Sequence, residues 1–310
     1  MQIISGTSEF ELTGPCAVVI GKFDGLHRGH RLLLRQILDA KKRGLKAAVF
    51  TFDPSPAAFF SGREVKGLTT REEKRRMFRQ LLVDVLVEFP LHKRTAKMEP
   101  ERFILEILQK RMHAALIVAG SDLSFGDGGR GNCALLKQYE ERCGYRVRIM
   151  DKVYDDGEAI SSTRVRAAVE KGNMEEAARL LGAPYAIMGP VLHGRRIGRT
   201  LGFPTVNQMP PADKLLPPNG VYFSEVECCH GIFRGLTNVG TKPTVEKGAD
   251  PPVLVETYLY DFARDIYDTF ITVRLLHFHR PERKFESLEA LRAQLLQDME
   301  AGLAGPEDLR

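Results

Sequence analysis

The sequence predicts an α/β chain in which an N-terminal doubly wound parallel sheet is followed by a small antiparallel β-barrel with a terminal helix. Three observations carry this. In the first half, short apolar runs alternate with segments of helical period, the pattern of buried parallel strands joined by crossover helices. After Gly182-Ala183-Pro184 the texture changes to strand-length segments separated by Gly, Pro and Asn, as in small antiparallel barrels. The third is size: 310 residues, 43% hydrophobic and 27% charged, suffice for two cores of ordinary soluble composition.

In order along the chain, apolar and β-branched runs predict strands at 17–20, 46–52, 84–89, 115–119 and 146–150. Between them, apolar residues at helical spacing predict helices at 31–43, 71–82, 100–112 and 133–142. The second of these opens on a capping box, with Thr70 as the cap and Glu73 three residues on. Two short helices follow, at 164–170 and 174–181. Strands are then expected at 185–192, 220–228, 233–239, 253–260 and 270–278, and an amphipathic helix at 288–299. The boundary falls near Pro184, dividing the chain into domains 1–184 and 185–310.

Composition narrows the classes of function. No apolar run approaches the roughly 18 to 20 residues of a membrane helix, and Met1-Gln2-Ile3-Ile4-Ser5-Gly6 runs into acidic Glu9 and Glu11, unlike a signal peptide. A cytoplasmic chain is expected, with no membrane partner. Five cysteines, odd in number and without C-x-x-C spacing, read as reduced thiols. The net charge of +5 is mild and its Lys and Arg are scattered, which suits anionic small molecules rather than nucleic acid. Oligomeric state is not legible.

The first candidate site is Gly21-Lys22-Phe23-Asp24-Gly25-Leu26-His27-Arg28-Gly29-His30. It lies where a strand hands over to a helix, the place at which an open α/β sheet binds phosphate. One histidine at a helix start is usually a solvated cap. Two, three residues apart, among glycines that let a backbone approach closely, point instead to oriented donors for a nucleotide phosphate. Gly120-Ser121-Asp122 and Ile160-Ser161-Ser162-Thr163-Arg164 leave the same sheet at other strand ends; hydroxyls at a helix start with a nearby guanidinium can also bind phosphate oxygens.

The arrangement His-x-Gly-His after a strand resembles the nucleotidylyltransferase superfamily, with its Rossmann-like sheet, and the longer stretch from Gly21 to His30 is similar to the first motif of bacterial FMN adenylyltransferases. That resemblance implies catalytic roles for His27, His30 and Arg164, and ATP or FMN binding by Gly21, Phe23, Asp24, Gly29, Asp122, Ser161, Ser162 and Thr163. Asp122 would lie at the adenine or flavin end, and Ser162 and Arg164 at the ATP phosphates. This chain has Thr51-Phe52-Asp53-Pro54-Ser55-Pro56 where relatives commonly have His before the second proline, and Ser121 to Ser124 lack the usual aromatic and basic residues.

The second candidate site is Gly194-Arg195-Arg196-Ile197-Gly198-Arg199-Thr200-Leu201-Gly202-Phe203-Pro204-Thr205-Val206-Asn207. Pro204 favours an extended Phe203, and on a continued strand Thr205 and Asn207 face the same way. Two neutral oxygens below a glycine-rich loop can share Mg²⁺ with nucleotide phosphates. Alternation along the strand at 253–260 puts Glu256 on one face with Leu254, Tyr258 and Tyr260.

Gly-Arg-x-Leu-Gly-Phe-Pro-Thr-x-Asn closely resembles the riboflavin kinase motif, and Asn238-Val239-Gly240-Thr241-Lys242-Pro243-Thr244 a second element of that family. The resemblance implies ATP binding by Gly194, Gly198, Arg199, Thr205 and Asn207, Mg²⁺ on Thr205 and Asn207, and Glu256 as catalytic base. Arg280 and Phe285 fall in a segment, 280–285, that resembles the one closing over the flavin in this family. Asp268 stands where relatives often have Gly.

From Gly21 to Phe285 the motifs follow the order of the bacterial bifunctional riboflavin kinase/FAD synthetase family, implying riboflavin, FMN and ATP as ligands. A nucleotidylyltransferase for another phosphorylated substrate would leave the motifs at 194–207 and Glu256 unused, and a flavin-binding regulator would be expected to lack His30, Asn207 or Glu256. Retention of only one of the two activities is a further alternative.

Overall fold

Six parallel strands build the first sheet: β1 (Gln2–Ser5), β2 (Cys16–Ile20), β3 (Lys46–Asp53), β4 (Val85–Pro90), β5 (Ala114–Gly120) and β6 (Arg146–Met150), in the order β1-β4-β3-β2-β5-β6. The computed structural model describes residues 1–63, 65–193, 202–241 and 253–304. These divide into two compact units, Met1–Ser162 and Thr163–Arg310.

Strand β2 is apolar and buried at every position because both faces of the sheet are covered around it. On β2, Cys16, Val18 and Ile20 enter one core with Phe50, Phe89 and Phe103, whereas Ala17 and Val19 enter the other with Phe23, Leu34, Ile37 and Phe78. Strand order reverses beside β2: the chain first builds outward through β3 and β4, then returns to place β5 on the opposite side. The carboxyl ends of β2 and β5 therefore flank the crevice in which open α/β sheets bind ligands.

Helix α1 (Arg28–Lys41) buries Leu33, Leu34, Ile37 and Ala40. Helix α2 (Arg71–Gln80) starts on the expected capping box, both of whose hydrogen bonds form. The expected helix at 100–112 is in large part a π-helix, Phe103–Arg111, with Met112 N donating to Ile107 O at 2.9 Å. The expected helix at 133–142 is interrupted after α3 (Cys133–Gln138). Strand β1, absent from the sequence-based expectation, is a four-residue edge strand paired to β4 on one side only, too short to show a period.

Helix α4 (Ser162–Glu170) starts on the last residue of the first unit, and α5 (Met174–Leu181) lies within the second. The second unit's sheet comprises β7 (Tyr185–Pro190), β8 (Thr205–Gln208), β9 (Gly220–Cys228), β10 (Gly231–Thr241), β11 (Val253–Leu259) and β12 (Phe270–Pro281), all antiparallel in the order β7-β12-β9-β10-β11-β8. Beyond β7, Leu192 N donates to Asn207 O of β8 at 2.7 Å, a single bridge that curls the two edges of the sheet together. Ser224, Thr237 and Thr257 link their buried hydroxyls across three adjacent strands at 2.7 and 2.9 Å. Helix α6 (Leu288–Ala304) is held by Tyr260 Oη, which donates to Met299 O at 3.0 Å.

Candidate functional sites

The turn from β2 into α1 brings the first site together. Phe23 and Leu26 adopt φ of 49° and 43°, left-handed conformations that bulky residues hold only under constraint. The turn ends at His27, the N-cap of α1, whose Nδ1 accepts from His30 N at 3.4 Å. The two imidazoles stack, with centroids 3.7 Å apart and planes 20° from parallel. Phe23 supports them from beneath, its ring 5.1 Å from His30 and 5.6 Å from Phe78. Two of the glycines leave room for this packing. A Cβ at Gly21 would lie 3.0 Å from the Phe23 ring, and one at Gly29 would lie 3.2 Å from the His27 ring.

Burial keeps both histidines neutral. His27 is 8% exposed, and burial pushes its pKa down to about 4 against the upward pull of Asp122 and Asp24. His30 is pushed well below the usual imidazole range, first by burial and then by His27 and Lys74. His30 Nδ1 is buried with no hydrogen-bond partner, an unused polar atom of the kind found where a ligand completes the site.

Asp24 ties this turn to two other segments. Its Oδ1 accepts from Thr69 N at 3.2 Å and its carbonyl from Ser162 Oγ at 2.9 Å, so Ser162, the last residue of the first unit, is tied to the loop that carries His27. Asp122 follows β5 and pairs with Lys152 at 3.2 Å; its charge is felt at His27. Gly21, Phe23, Asp24, Gly29, Asp122 and Ser162 thus gather with the histidines at one end of the sheet. Ser161 immediately precedes α4, and Thr163 and Arg164 lie in its first turn; Arg164 sits 3.6 Å from Glu176 of α5. Ser55, the departure from the family pattern, caps a short helix, Pro56–Ser61, through its hydroxyl.

The second site is a cavity of about 650 Å³ whose lining includes Phe203, Thr205, Asn238, Glu256, Arg280 and Phe285. Sheet register assembles its polar wall. Glu256 on β11 stands between Asn207 of β8 and Asn238 of β10, and Thr205 pairs with Tyr258. Alternation puts Thr205 and Asn207 on one face of β8, while Asn238 Nδ2 donates to Glu282 Oε1 at 3.0 Å. The apolar wall comes from Phe203, whose ring meets Tyr258 at 6.1 Å, and from Phe285, over which Arg283 sits at 4.8 Å.

Arg280 is held in a way the sequence did not foreshadow. Its guanidinium makes two parallel hydrogen bonds to Asp298 of α6, 2.9 and 2.6 Å long, the strongest form of this pairing. Gln294 donates to the same carboxylate at 2.7 Å, and His279 Nε2 lies 3.3 Å away. Burial favours a protonated Asp298, yet the hydrogen bonds from Arg280 and Gln294 and the charge of Arg280 outweigh it and hold the carboxyl below its usual range. One Asp among the scattered charges of α6 gives no sign of this in sequence. Asp268, where glycine is usual, does adopt φ of 60°. Gly194, Gly198 and Arg199 lie outside the described residues, as do Lys242, Pro243 and Thr244.

Known relatives match both halves. Residues 10–164 match the FAD synthetase family and residues 181–304 the riboflavin kinase family. A bifunctional riboflavin kinase/FMN adenylyltransferase of Listeria monocytogenes is 36% identical over 91% of this chain and 89% of its own length. The chain belongs to the bifunctional riboflavin kinase/FMN adenylyltransferase family. The Escherichia coli member is likewise 36% identical, over 91% of this chain and 90% of its own. A solved Streptococcus pneumoniae structure, described as a macrolide-efflux protein, superposes with a TM-score of 0.80 at 32% identity, covering 94% of each chain. Among the described residues no helix is long and apolar enough to cross a membrane. Both catalytic domains of the family, the FMN adenylyltransferase and the riboflavin kinase, are therefore present in one chain.

Proposed function

We propose that residues 185–310 phosphorylate riboflavin with ATP to give FMN and that residues 1–184 adenylylate FMN with a second ATP to give FAD and pyrophosphate. The observation that supports this is the occurrence in one chain of two unlike candidate sites. One is the stacked His27–His30 pair at the sheet's switch point, and the other is Glu256 facing Asn207 beside an apolar cavity.

In the adenylylation step an FMN phosphate oxygen attacks the α-phosphorus of ATP, and the bond from that phosphorus to the bridging oxygen of pyrophosphate breaks. No protein nucleophile is needed; positioning and neutralisation of charge lower the barrier. His27 and His30, neutral and rigidly stacked, offer ring N–H donors to the transferring phosphoryl group. Gly29 lets the nucleotide approach α1, and Gly21, Phe23 and Asp24 shape the turn. Ser161, Ser162, Thr163 and Arg164 bind phosphate oxygens at the start of α4, and Asp122 stands at the adenine or flavin end.

In the kinase step the ribityl 5′-hydroxyl attacks the γ-phosphorus and Glu256 accepts its proton. Gly194, Gly198 and Arg199 belong to the ATP loop, and Arg280 and Phe285 to the flavin end of the cavity. Thr205 and Asn207 offer hydroxyl and amide oxygens suited to Mg²⁺, a hard cation. Among the described residues no group of three His, Cys, Asp or Glu side chains is placed to hold a metal. Mg²⁺ commonly takes its further ligands from nucleotide phosphates and water, and when bound here it would offset the phosphate charge. Five free cysteines support a cytoplasmic location.

The His30→Ala chain tests the assignment of the first site: FAD formation from FMN and ATP should vanish while FMN formation from riboflavin persists. Undiminished adenylyl transfer by that variant would refute it.

A further inference from the structure

One face of α2 turns toward the first site and carries a residue with no task assigned above. Arg71, Lys74, Arg75 and Phe78 recur at helical spacing and share that face. Arg71 and Arg75 both bind Glu88, a carboxylate only 3% exposed, through bonds of 2.6 to 2.9 Å. Phe78 is buried against Phe23. Lys74 reaches elsewhere: its Nζ donates to the carbonyl of Lys22 at 3.3 Å, an oxygen that also accepts from Thr51 Oγ1 at 3.4 Å. Lys22 directly precedes Phe23, where the chain enters its left-handed turn.

Left-handed backbone at a bulky residue is strained and persists only where its surroundings enforce it. Here two contacts from α2 do so, the Phe78 ring on Phe23 and the Lys74 ammonium on the carbonyl just before it. We propose that Lys74 is a positioning residue of the adenylyltransferase site, anchoring the turn that delivers the stacked His27–His30 pair. The inference rests on the adenylyl-transfer reading of that site.

Charge adds a second effect. The charged and titratable groups felt at His30 are His27 from its own helix and Lys74 from α2, both of which disfavour its protonation. Burial pushes the Lys74 ammonium below its ordinary range, Asp24, Glu88 and Asp53 pull it back towards the charged form, and Arg71 opposes them. Removing the ammonium should therefore loosen the turn and let His30 take up a proton at higher pH.

The test uses the full chain as Lys74→Met and Lys74→Arg. FMN formation from riboflavin serves as an internal check on the amount of active chain, and the urea midpoint as the check on folding. For Lys74→Met, kcat for adenylyl transfer should fall by about 10- to 100-fold, the scale of a small misplacement of reacting groups. The KM values for ATP and FMN should change by no more than about threefold. Lys74→Arg should recover most of the rate, and the ¹³C-labelled His30 resonance should titrate at higher pH in Lys74→Met than in the parent. A parent that makes FAD beside an unimpaired Lys74→Met overturns the proposal. So do equal losses in both variants with the His30 titration unmoved, which would reduce Lys74 to packing. A parent that makes no FAD from FMN overturns instead the reading on which it rests.

Discussion

His27 Nδ1 can accept from His30 N only while the ring is neutral, and burial secures that. The folded His27 pKa lies near 4, against 6.5 for an ordinary imidazole, so between these values the unfolded chain binds protons that the folded chain refuses. Stability must then fall as pH drops from about 6.5 towards 4. His27→Gln should flatten that part of the denaturant-midpoint profile measured against pH, whereas an unchanged slope would mean that His27 titrates normally. In the second site, Glu256→Gln should abolish FMN formation while riboflavin binding, followed by fluorescence titration, is largely kept. Residues of this kind were legible in sequence because their motifs are contiguous. Lys74 and Asp298 were not, since each draws its role from a partner far along the chain: the carbonyl of Lys22 and the guanidinium of Arg280.

At the scale of elements, local chemistry set the boundaries where it was strong. The capping box at Thr70 and Glu73 starts α2 at Arg71, and Gly182 with φ of 72° ends α5 after Leu181, both as expected from the sequence. Thr70→Ala should cost about 1 kcal/mol, typical of a lost cap, read as a shift in urea midpoint. Where tertiary context decides, the sequence says less. Strand β1 exists only by pairing with β4, and the π-helical turns at Phe103–Arg111 satisfy the apolar spacing of an α-helix equally well. The Arg280–Asp298 pair joins β12 to α6 over the cavity. Asp298 is wholly buried, so Asp298→Asn, which leaves Arg280 without its counter-charge, should destabilise the fold by about 3 kcal/mol. Because the folded carboxyl lies below its usual range, the parent's advantage is full above the ordinary carboxylate pKa and disappears as pH falls through the folded value. Denaturation midpoints of the two chains should therefore converge in acid; a constant gap would contradict the ion pair.

For the whole molecule, the change in texture after Pro184 separated parallel from antiparallel architecture correctly because the two demand different patterns. Parallel strands covered on both faces read as unbroken apolar runs, and barrel strands as alternation broken by turns. The sequence could not show how the barrel brings Asn207, Asn238 and Glu256 onto adjacent strands, since their register follows from pairing between distant segments. If the two sites are chemically independent, the Glu256→Gln chain should still make FAD when supplied with FMN, and the His30→Ala chain should still make FMN from riboflavin. The most direct measurement of the central claim is a time course of the purified parent chain with riboflavin, ATP and Mg²⁺, with flavins separated at intervals. FMN should appear first and be consumed as FAD accumulates; FMN that builds up with no FAD, or riboflavin that remains unchanged, would contradict a chain carrying both activities.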